Sequence, residues 1–160
     1  MPLRFDIIDE YDGERKPSVD IDAIARALSA FTDKKEGGVR FSAVLSLVPR
    51  ERMRELNARY RDIDEETDVL SFPLWETEEG LSFPEGWEEI PLGDVVISPE
   101  YIFESSISGN LDYNKETALV IIHGILHLFC YDHDTDERKR EMWREQDAIL
   151  SATQGGLSIH

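Results

Sequence analysis

Three of the four histidines in this 160-residue chain fall in one short stretch, His123-Gly-Ile-Leu-His127-Leu-Phe-Cys-Tyr-Asp-His133. On a helix, positions i and i+4 project from the same face, so His123 and His127 can offer imidazole nitrogens to one ion. His133 falls beyond the expected helix end, where the chain can turn back and complete a set of three. Three neutral nitrogens with one open position suit a catalytic zinc, whose bound water acquires a pKa near ~7. A single histidine on an apolar helix is more often a core residue with a satisfied hydrogen bond. Two at this spacing in a strongly apolar run each need a partner, and the third makes a metal the better reading. Zinc is the expected ion, one per chain, with nickel or another imidazole-binding divalent ion able to take its place.

The H-x3-H-x5-H spacing equals that of the metzincin peptidases, H-E-x-x-H-x-x-G-x-x-H. Two positions depart from it. The general-base glutamate of that pattern is Gly124 here, and its turn-making glycine is Cys130. Without the glutamate, peptide hydrolysis lacks its usual proton shuttle, so a zinc hydrolase acting on peptides or small amides is the second reading. Cys130 opens a third. Positions 123, 127 and 130 are i, i+4 and i+7, so a cysteine ligand could close the site as His3Cys and make the metal structural. The competing expectation is a buried thiol that binds nothing, because the helix must end near residue 130 for His133 to reach the ion.

These residues need a scaffold. Ala118–Phe129 is the longest apolar run, broken only by His123, Gly124 and His127, and follows the polar entry DYNKET; it reads as a buried helix. Four strands are expected at Leu3–Ile8, 38–48, Val69–Trp75 and Asp94–Ser98. Helices are expected over 19–31 with Ser18 as N-cap, from Pro49 at a first helical position to about Tyr60, briefly after Pro99, and over about Glu137–Ser151. Trp143, Ile149 and Leu150 are expected among the core residues of the last helix. The acidic stretch 76–92 reads as a loop, and QGGLSIH at the end as loose chain. The fold class is α/β (α+β): a small mixed sheet of about four strands packed with helices, the histidine helix buried centrally. One domain over 1–153 with a tail at 154–160 accounts for the length.

Composition bounds the partners. The formal charge is −17, from 34 acids and 17 bases, which repels nucleic acid at long range. The charge is uneven, however. Eight of the 17 bases lie between Lys34 and Arg61, whereas 62–68 (DIDEETD) carries five acids and 76–92 six Glu and no Lys or Arg. A basic patch on an acidic body is therefore open. No apolar run approaches the ~18 residues of a membrane span, and the N-terminus lacks a signal-peptide core. A lone Cys130 cannot form an internal disulfide and fits a reducing cytosol, so the expected location is cytoplasmic.

HGILHLFCYDH resembles the H-G-x-L-H-L-x-G-Y-D-H signature of the YbeY family of zinc-dependent endoribonucleases. Leu56-Asn57-Ala58-Arg59-Tyr60-Arg61 resembles the family's L-N-x-x-Y-R block, and Thr67-Asp68-Val69-Leu70-Ser71-Phe72-Pro73 its P-T-D-V-L-S-F-P block. Leu92-Gly93-Asp94-Val95-Val96-Ile97-Ser98 is similar to its L-G-D-I-x-I-S strand. The blocks come in the family's order and cover about residues 50–135. The signature glycine before Tyr131 is Cys130 here, and the proline before Thr67 is Glu66. If position 130 has a positive φ, cysteine costs on the order of 1 kcal/mol.

The resemblance implies a helix-covered mixed sheet and zinc on His123, His127 and His133. It implies single-strand-specific endoribonuclease activity in 16S ribosomal RNA 3′-end maturation and ribosome quality control. The expected partners are single-stranded or ribosomal RNA and the small ribosomal subunit or its proteins, with no DNA and no membrane. The catalytic assignments are Arg61 and His123, and Arg61 is also the substrate-binding residue. Helical geometry places Met53, Leu56 and Tyr60 on the buried stripe of the helix preceding residue 62. Arg50, Arg54, Asn57 and Arg61 then lie on one flank, where they could follow a phosphodiester backbone or pair with neighbouring acids. Zinc would polarise a phosphoryl oxygen and ionise water, and Arg61 would add a second positive contact. Asp68, Asp132 and Asp134 are candidates for proton transfer, with capping or histidine orientation as the alternative roles. A non-enzymatic ribosome-assembly factor with a structural zinc is the remaining alternative.

Overall fold

In the computed structural model, described for residues 3–35, 38–131 and 135–157 (backbone alone for 35 and 154–157), helices cover both faces of a mixed sheet. The sheet strands are β1 (Arg4–Asp9), β2 (Arg40–Leu47), β3 (Val69–Pro73) and β6 (Glu89–Ile97). They lie in the order β1-β2-β6-β3, with β3 alone antiparallel to its neighbour. Two short strands, β4 (Glu76–Thr77) and β5 (Gly80–Leu81), form a hairpin inside the acidic stretch. The helices are α1 (Ile21–Lys35), α2 (Arg50–Arg61), α3 (Pro99–Ser108), α4 (Tyr113–Leu128) and α5 (Asp136–Leu157). This is the α+β class expected from the interleaved elements. No helix of the described residues is long and apolar enough to cross a membrane.

Alternation along the strands divides the core. Phe41, Ala43, Leu45, Val95 and Ile97 join Ile24, Leu28, Ile121, Ile125 and Met142 in the larger cluster, on the side of α1, α4 and α5. Leu70 and Val96 point the other way, with Val48 and Met53 of the α2 region. Strict alternation would put Leu92 and Val95 on opposite faces, yet both are in the larger cluster. A bulge resolves this: β2 pairs Ser42 with Pro91 but Val44 with Asp94, so β6 carries an extra residue. Gly93 sits there at φ +136, and a Cβ would meet the Phe72 carbonyl oxygen at 2.1 Å. Only glycine fits.

Several expectations shift. The N-cap of α1 is Asp20, whose Oδ1 accepts from Ala23 N at 3.0 Å, whereas Ser18 N donates to Asn114 Oδ1 at 2.8 Å. Pro49 is the N-cap of α2 and not its first helical residue. The 76–92 stretch is not all loop, because β6 begins at Glu89 and β4–β5 precede it. Trp143 is half exposed, since the buried stripe of α5 runs through Met142, Gln146, Ile149, Leu150 and Thr153. That stripe carries the backbone of α5 to Leu157, past the expected end at Ser151.

Candidate metal centre and cleft

Helix α4 earns its length from burial, with Ile121, Ile122, Ile125, Leu126 and Leu128 each about fully enclosed. Gly124 lets it approach the sheet. A Cβ there would stand 2.6 Å from Val95 Cγ1 and 3.2 Å from Val69 Cγ2, closer than packed carbons tolerate. Ser71 Oγ of β3 donates to the Gly124 carbonyl at 2.9 Å and ties the helix to the strand. The residue that departs from the peptidase pattern is thus a packing requirement, and no glutamate could occupy it without moving the helix.

The same helix presents the two imidazoles. His127 Nε2 and His123 Nε2 are 3.0 Å apart, with ring centroids 4.6 Å apart and planes inclined at 77°. Two nitrogen lone pairs cannot face each other at that distance without a positive charge between them, either a proton on one nitrogen or a cation. Tetrahedral zinc with Zn–N near ~2.0–2.1 Å would set its nitrogens about 3.3 Å apart, close to the spacing found. The pair therefore fits two ligand positions of such an ion. His133, the third expected ligand, lies outside the described residues, as do Asp132 and Asp134. Among the described residues no third His, Cys, Asp or Glu joins the pair in a metal-holding group.

Helix α4 ends before residue 130, as expected. Phe129 is its C-cap, Cys130 N–H donates to His127 O at 2.9 Å, and Tyr131 N–H donates to Leu126 O at 3.1 Å. This is the Schellman arrangement, and Cys130 occupies its left-handed position at φ 63. The positive φ anticipated at residue 130 is there, filled by a cysteine at a conformational cost of about 1 kcal/mol. Because the helix stops first, Cys130 does not continue the face of His123 and His127. Burial, followed by the nearby Glu76 charge, pushes the Cys130 thiol above its ordinary pKa, which disfavours the thiolate a ligand would need.

Both histidines open onto a cleft of about 590 Å³ lined also by Tyr60, Arg61, Thr67, Asp68, Ser71, Phe72 and Glu76. The end of α2 sets Arg61 at this cleft. Asp62 takes a left-handed conformation (φ 58) with its N–H on Asn57 O, which stops the helix directly after Arg61. Buried Asn57 donates through Nδ2 to Glu65 O at 2.9 Å and pins the returning chain. The expected stripe of α2 is rotated by this: Asn57 is inside with Met53, and Tyr60 is 57% exposed. Tyr60 instead packs edge-on against Phe72, centroids 5.2 Å apart, and braces the helix end on β3. Asp68 accepts Ser98 N–H on its carbonyl at 3.0 Å and the Thr67 hydroxyl on Oδ1 at 3.3 Å, the turn-stabilising role.

Three of the four other arginines of α2 are engaged with acids. Arg50 pairs with Glu66 and, at 2.5 Å, with Glu104; Arg54 pairs with Asp64 at 2.8 Å; Arg52 pairs with Glu55 at 3.2 Å. Arg59 lies over the Tyr60 ring at 5.4 Å. Arg61 is exposed on the cleft, and no ion pair to it is formed among the described residues. Of the flank of cations expected along a phosphodiester, Arg61 is the one the cleft presents.

The family model described as Endoribonuclease YbeY matches residues 10–154. The chain belongs to that family. It is 41% identical to the endoribonuclease YbeY of Clostridioides difficile over 112 residues, 69% of this chain and 71% of that protein. It is 36% identical to the one from Bacillus cereus over 154 residues, 95% of this chain and 97% of its relative. The solution structure of TM1509 from Thermotoga maritima superposes with a TM-score of 0.63 at 29% identity, covering 96% of this chain and 91% of the other. The family's sequence blocks now have physical roles here: Tyr60 and Arg61 at the helix end, Ser71 on Gly124 O, Gly93 in the bulge and the histidines at the cleft.

One polar residue at the site belongs to no sequence motif. His123 Nδ1 lies 2.8 Å from Gln146 Oε1 on α5. Its signal was a glutamine four residues after Met142 and three before Ile149, a polar residue on an otherwise apolar stripe.

Proposed function

We propose that the cleft between α4, β3 and the end of α2 cleaves single-stranded RNA in a metal-dependent reaction. The biological substrate is 16S ribosomal RNA near its 3′ end, in maturation and ribosome quality control in the cytoplasm, with small-subunit proteins helping to hold the acidic chain on RNA. Family membership supports the reaction class. The observation that carries the site is the opening of Arg61, His123 and His127 onto one cleft. A zinc ion held by His123, His127 and His133 would supply a Lewis acid and an ionised water at neutral pH. Arg61, always charged and with a planar fork of donors, holds a phosphodiester oxygen and stabilises charge that develops on it. Tyr60, exposed beside Arg61, offers a ring face on which an unpaired base can stack, which favours single strands over duplex. Peptide hydrolysis loses ground because position 124 has no room for a general base.

The test uses zinc-loaded protein with a labelled single-stranded ribosomal RNA fragment, the same fragment as duplex, and casein. The expected result is cleavage of the single strand, lost on chelation and restored by zinc, and reduced at least ~100-fold in Arg61→Ala and His123→Ala. Cleavage that survives both substitutions would overturn the assignment, as would casein hydrolysis without RNA cleavage.

A further inference from the structure

We propose that Gln146 is a positioning residue for the metal centre, its carboxamide oxygen selecting the tautomer in which His123 presents Nε2 to the ion. The inference rests on the metal reading of the histidine pair and adds a residue from a different helix, 23 positions away.

The chemistry is that of an acceptor meeting a two-state ring. A neutral imidazole carries its proton on Nδ1 or on Nε2, and the other nitrogen keeps the lone pair. Gln146 Oε1 can only accept, so the 2.8 Å contact requires the proton on His123 Nδ1. The lone pair then stands on Nε2, the nitrogen that faces His127 Nε2 at 3.0 Å. A ring free to choose would spend part of its time with Nε2 protonated and unable to bind a metal. It would also swing about χ2. The hydrogen bond removes both freedoms before the ion arrives.

The surroundings support this role over a purely structural one. Gln146 is 9% exposed and stands between Met142 at 0% and Ile149 at 4%, on the face that packs against the rest of the core. A leucine or methionine there would complete the apolar stripe of α5, and a buried amide costs free energy unless it is hydrogen-bonded. The glutamine spends its oxygen on His123, one of the two α4 side chains that line the cleft. A carboxylate would bind the same Nδ1–H more strongly but would add a buried negative charge. The neutral amide orients the ring without that charge.

The experiment compares wild type with Gln146→Leu and Gln146→Glu, using zinc titration against a chromophoric chelator and the ¹⁵N chemical shifts of the His123 ring in the apo-protein. Gln146→Leu is expected to keep the cooperative thermal melt but to lose zinc affinity ~10- to 100-fold, with an Nε2–H population appearing at His123. Gln146→Glu, which retains an acceptor at the same place, is expected to restore the Nδ1–H tautomer and most of the affinity. Wild-type affinity and a pure Nδ1–H ring in folded Gln146→Leu would overturn the proposal. So would an Nε2–H ring at His123 in the apo wild type, which needs no variant to fold. Failure of wild type to take up zinc would refute the metal reading instead, while the ring shifts would still decide what Gln146 does to His123.

Discussion

The two ends of α2 carry the same residue type in opposite circumstances. At the N-terminal end, Arg50, Arg52 and Arg54 are paired with Glu66 and Glu104, Glu55, and Asp64. At the C-terminal end Arg61 stands exposed on the histidine cleft. The left-handed Asp62 links the two ends, since it stops the helix after Arg61 and turns the chain back so that Asp64 meets Arg54 and Glu66 meets Arg50. Local charge density along the sequence is therefore a poor guide to where a phosphate can bind. What matters is which cations the fold leaves without an acid.

The sharpest way to break the comparison is to remove the cation at each end. Arg61→Ala is expected to lower RNA cleavage by 10²–10³ with an unchanged melting temperature, because an exposed side chain leaves no cavity. Arg50→Ala is expected to change cleavage less than ~3-fold. Single-turnover rates on one RNA, with melts alongside, check both. Equal losses at the two ends would mean that phosphate contact runs the length of the helix and displaces the acids.

Geometry of the cleft, as distinct from its charge, is tested at Gly124. Replacing it with alanine drives a methyl toward Val95 Cγ1 at 2.6 Å. Overpacking of this kind costs ~1–3 kcal/mol, offset by up to ~1 kcal/mol from alanine's helix propensity. A net loss of about 1–2 kcal/mol is expected in denaturant titration, with cleavage falling as well because α4 carries both histidines. Arg61→Ala should lose activity alone, so the two variants separate presentation of the histidine pair from the proposed contact of Arg61 with phosphate.

These contrasts also show how much was legible beforehand. The i,i+4 histidines and the apolar run around them define α4 locally, and the structure places both imidazoles together as that spacing requires. The four sheet strands and Arg61 at a helix end follow from equally local patterns. Other features depend on contacts distant in sequence. Tyr60 was expected inside because a helical stripe was drawn through Met53 and Leu56, but the need to pin Glu65 turns Asn57 inward and leaves Tyr60 at the cleft. An amphipathic last helix places Trp143 in the core with Ile149 and Leu150, whereas the buried face of α5 runs through Met142 and Gln146. Gln146 carries no motif, and only the packing of α5 against α4 brings it to His123. The start of β6 at Glu89 was hidden by acidity, since Glu89 is held there by Arg4 at 2.6 Å.

The paired end of α2 makes smaller predictions. Arg50 sits only 31% exposed, between a carboxylate that it meets with two nitrogens and a second carboxylate at 2.5 Å. A network of that kind lies at the upper end of what surface pairs contribute, so Arg50→Ala is expected to cost about 1 kcal/mol, or roughly 3 °C. A larger loss would mean that Arg50 fixes the 62–66 turn and, through it, Arg61. In that case cleavage would fall with stability, and the two ends of the helix would no longer be independent.

Arg54 and Asp64 give the smallest effect and a pH signature. The Arg54 guanidinium, by hydrogen bond and then by charge, holds the Asp64 carboxyl below its ordinary value. A depressed carboxylate stabilises the fold above its unfolded pKa of about 3.9 and loses that contribution as pH falls through the lower folded value. Both side chains are more than half exposed, at 58% and 73%, so water and salt screen the pair strongly. Arg54→Ala should therefore match wild type in melting temperature at physiological salt. A small deficit should emerge near neutral pH at low ionic strength and vanish again as pH falls through the lowered pKa of folded Asp64, where the carboxyl is protonated in both folded and unfolded chains. A deficit that persists in acid would show that Arg54 acts by packing along α2 and not by charge. Arg54 would then be unavailable to phosphate for a reason other than neutralisation by its acid.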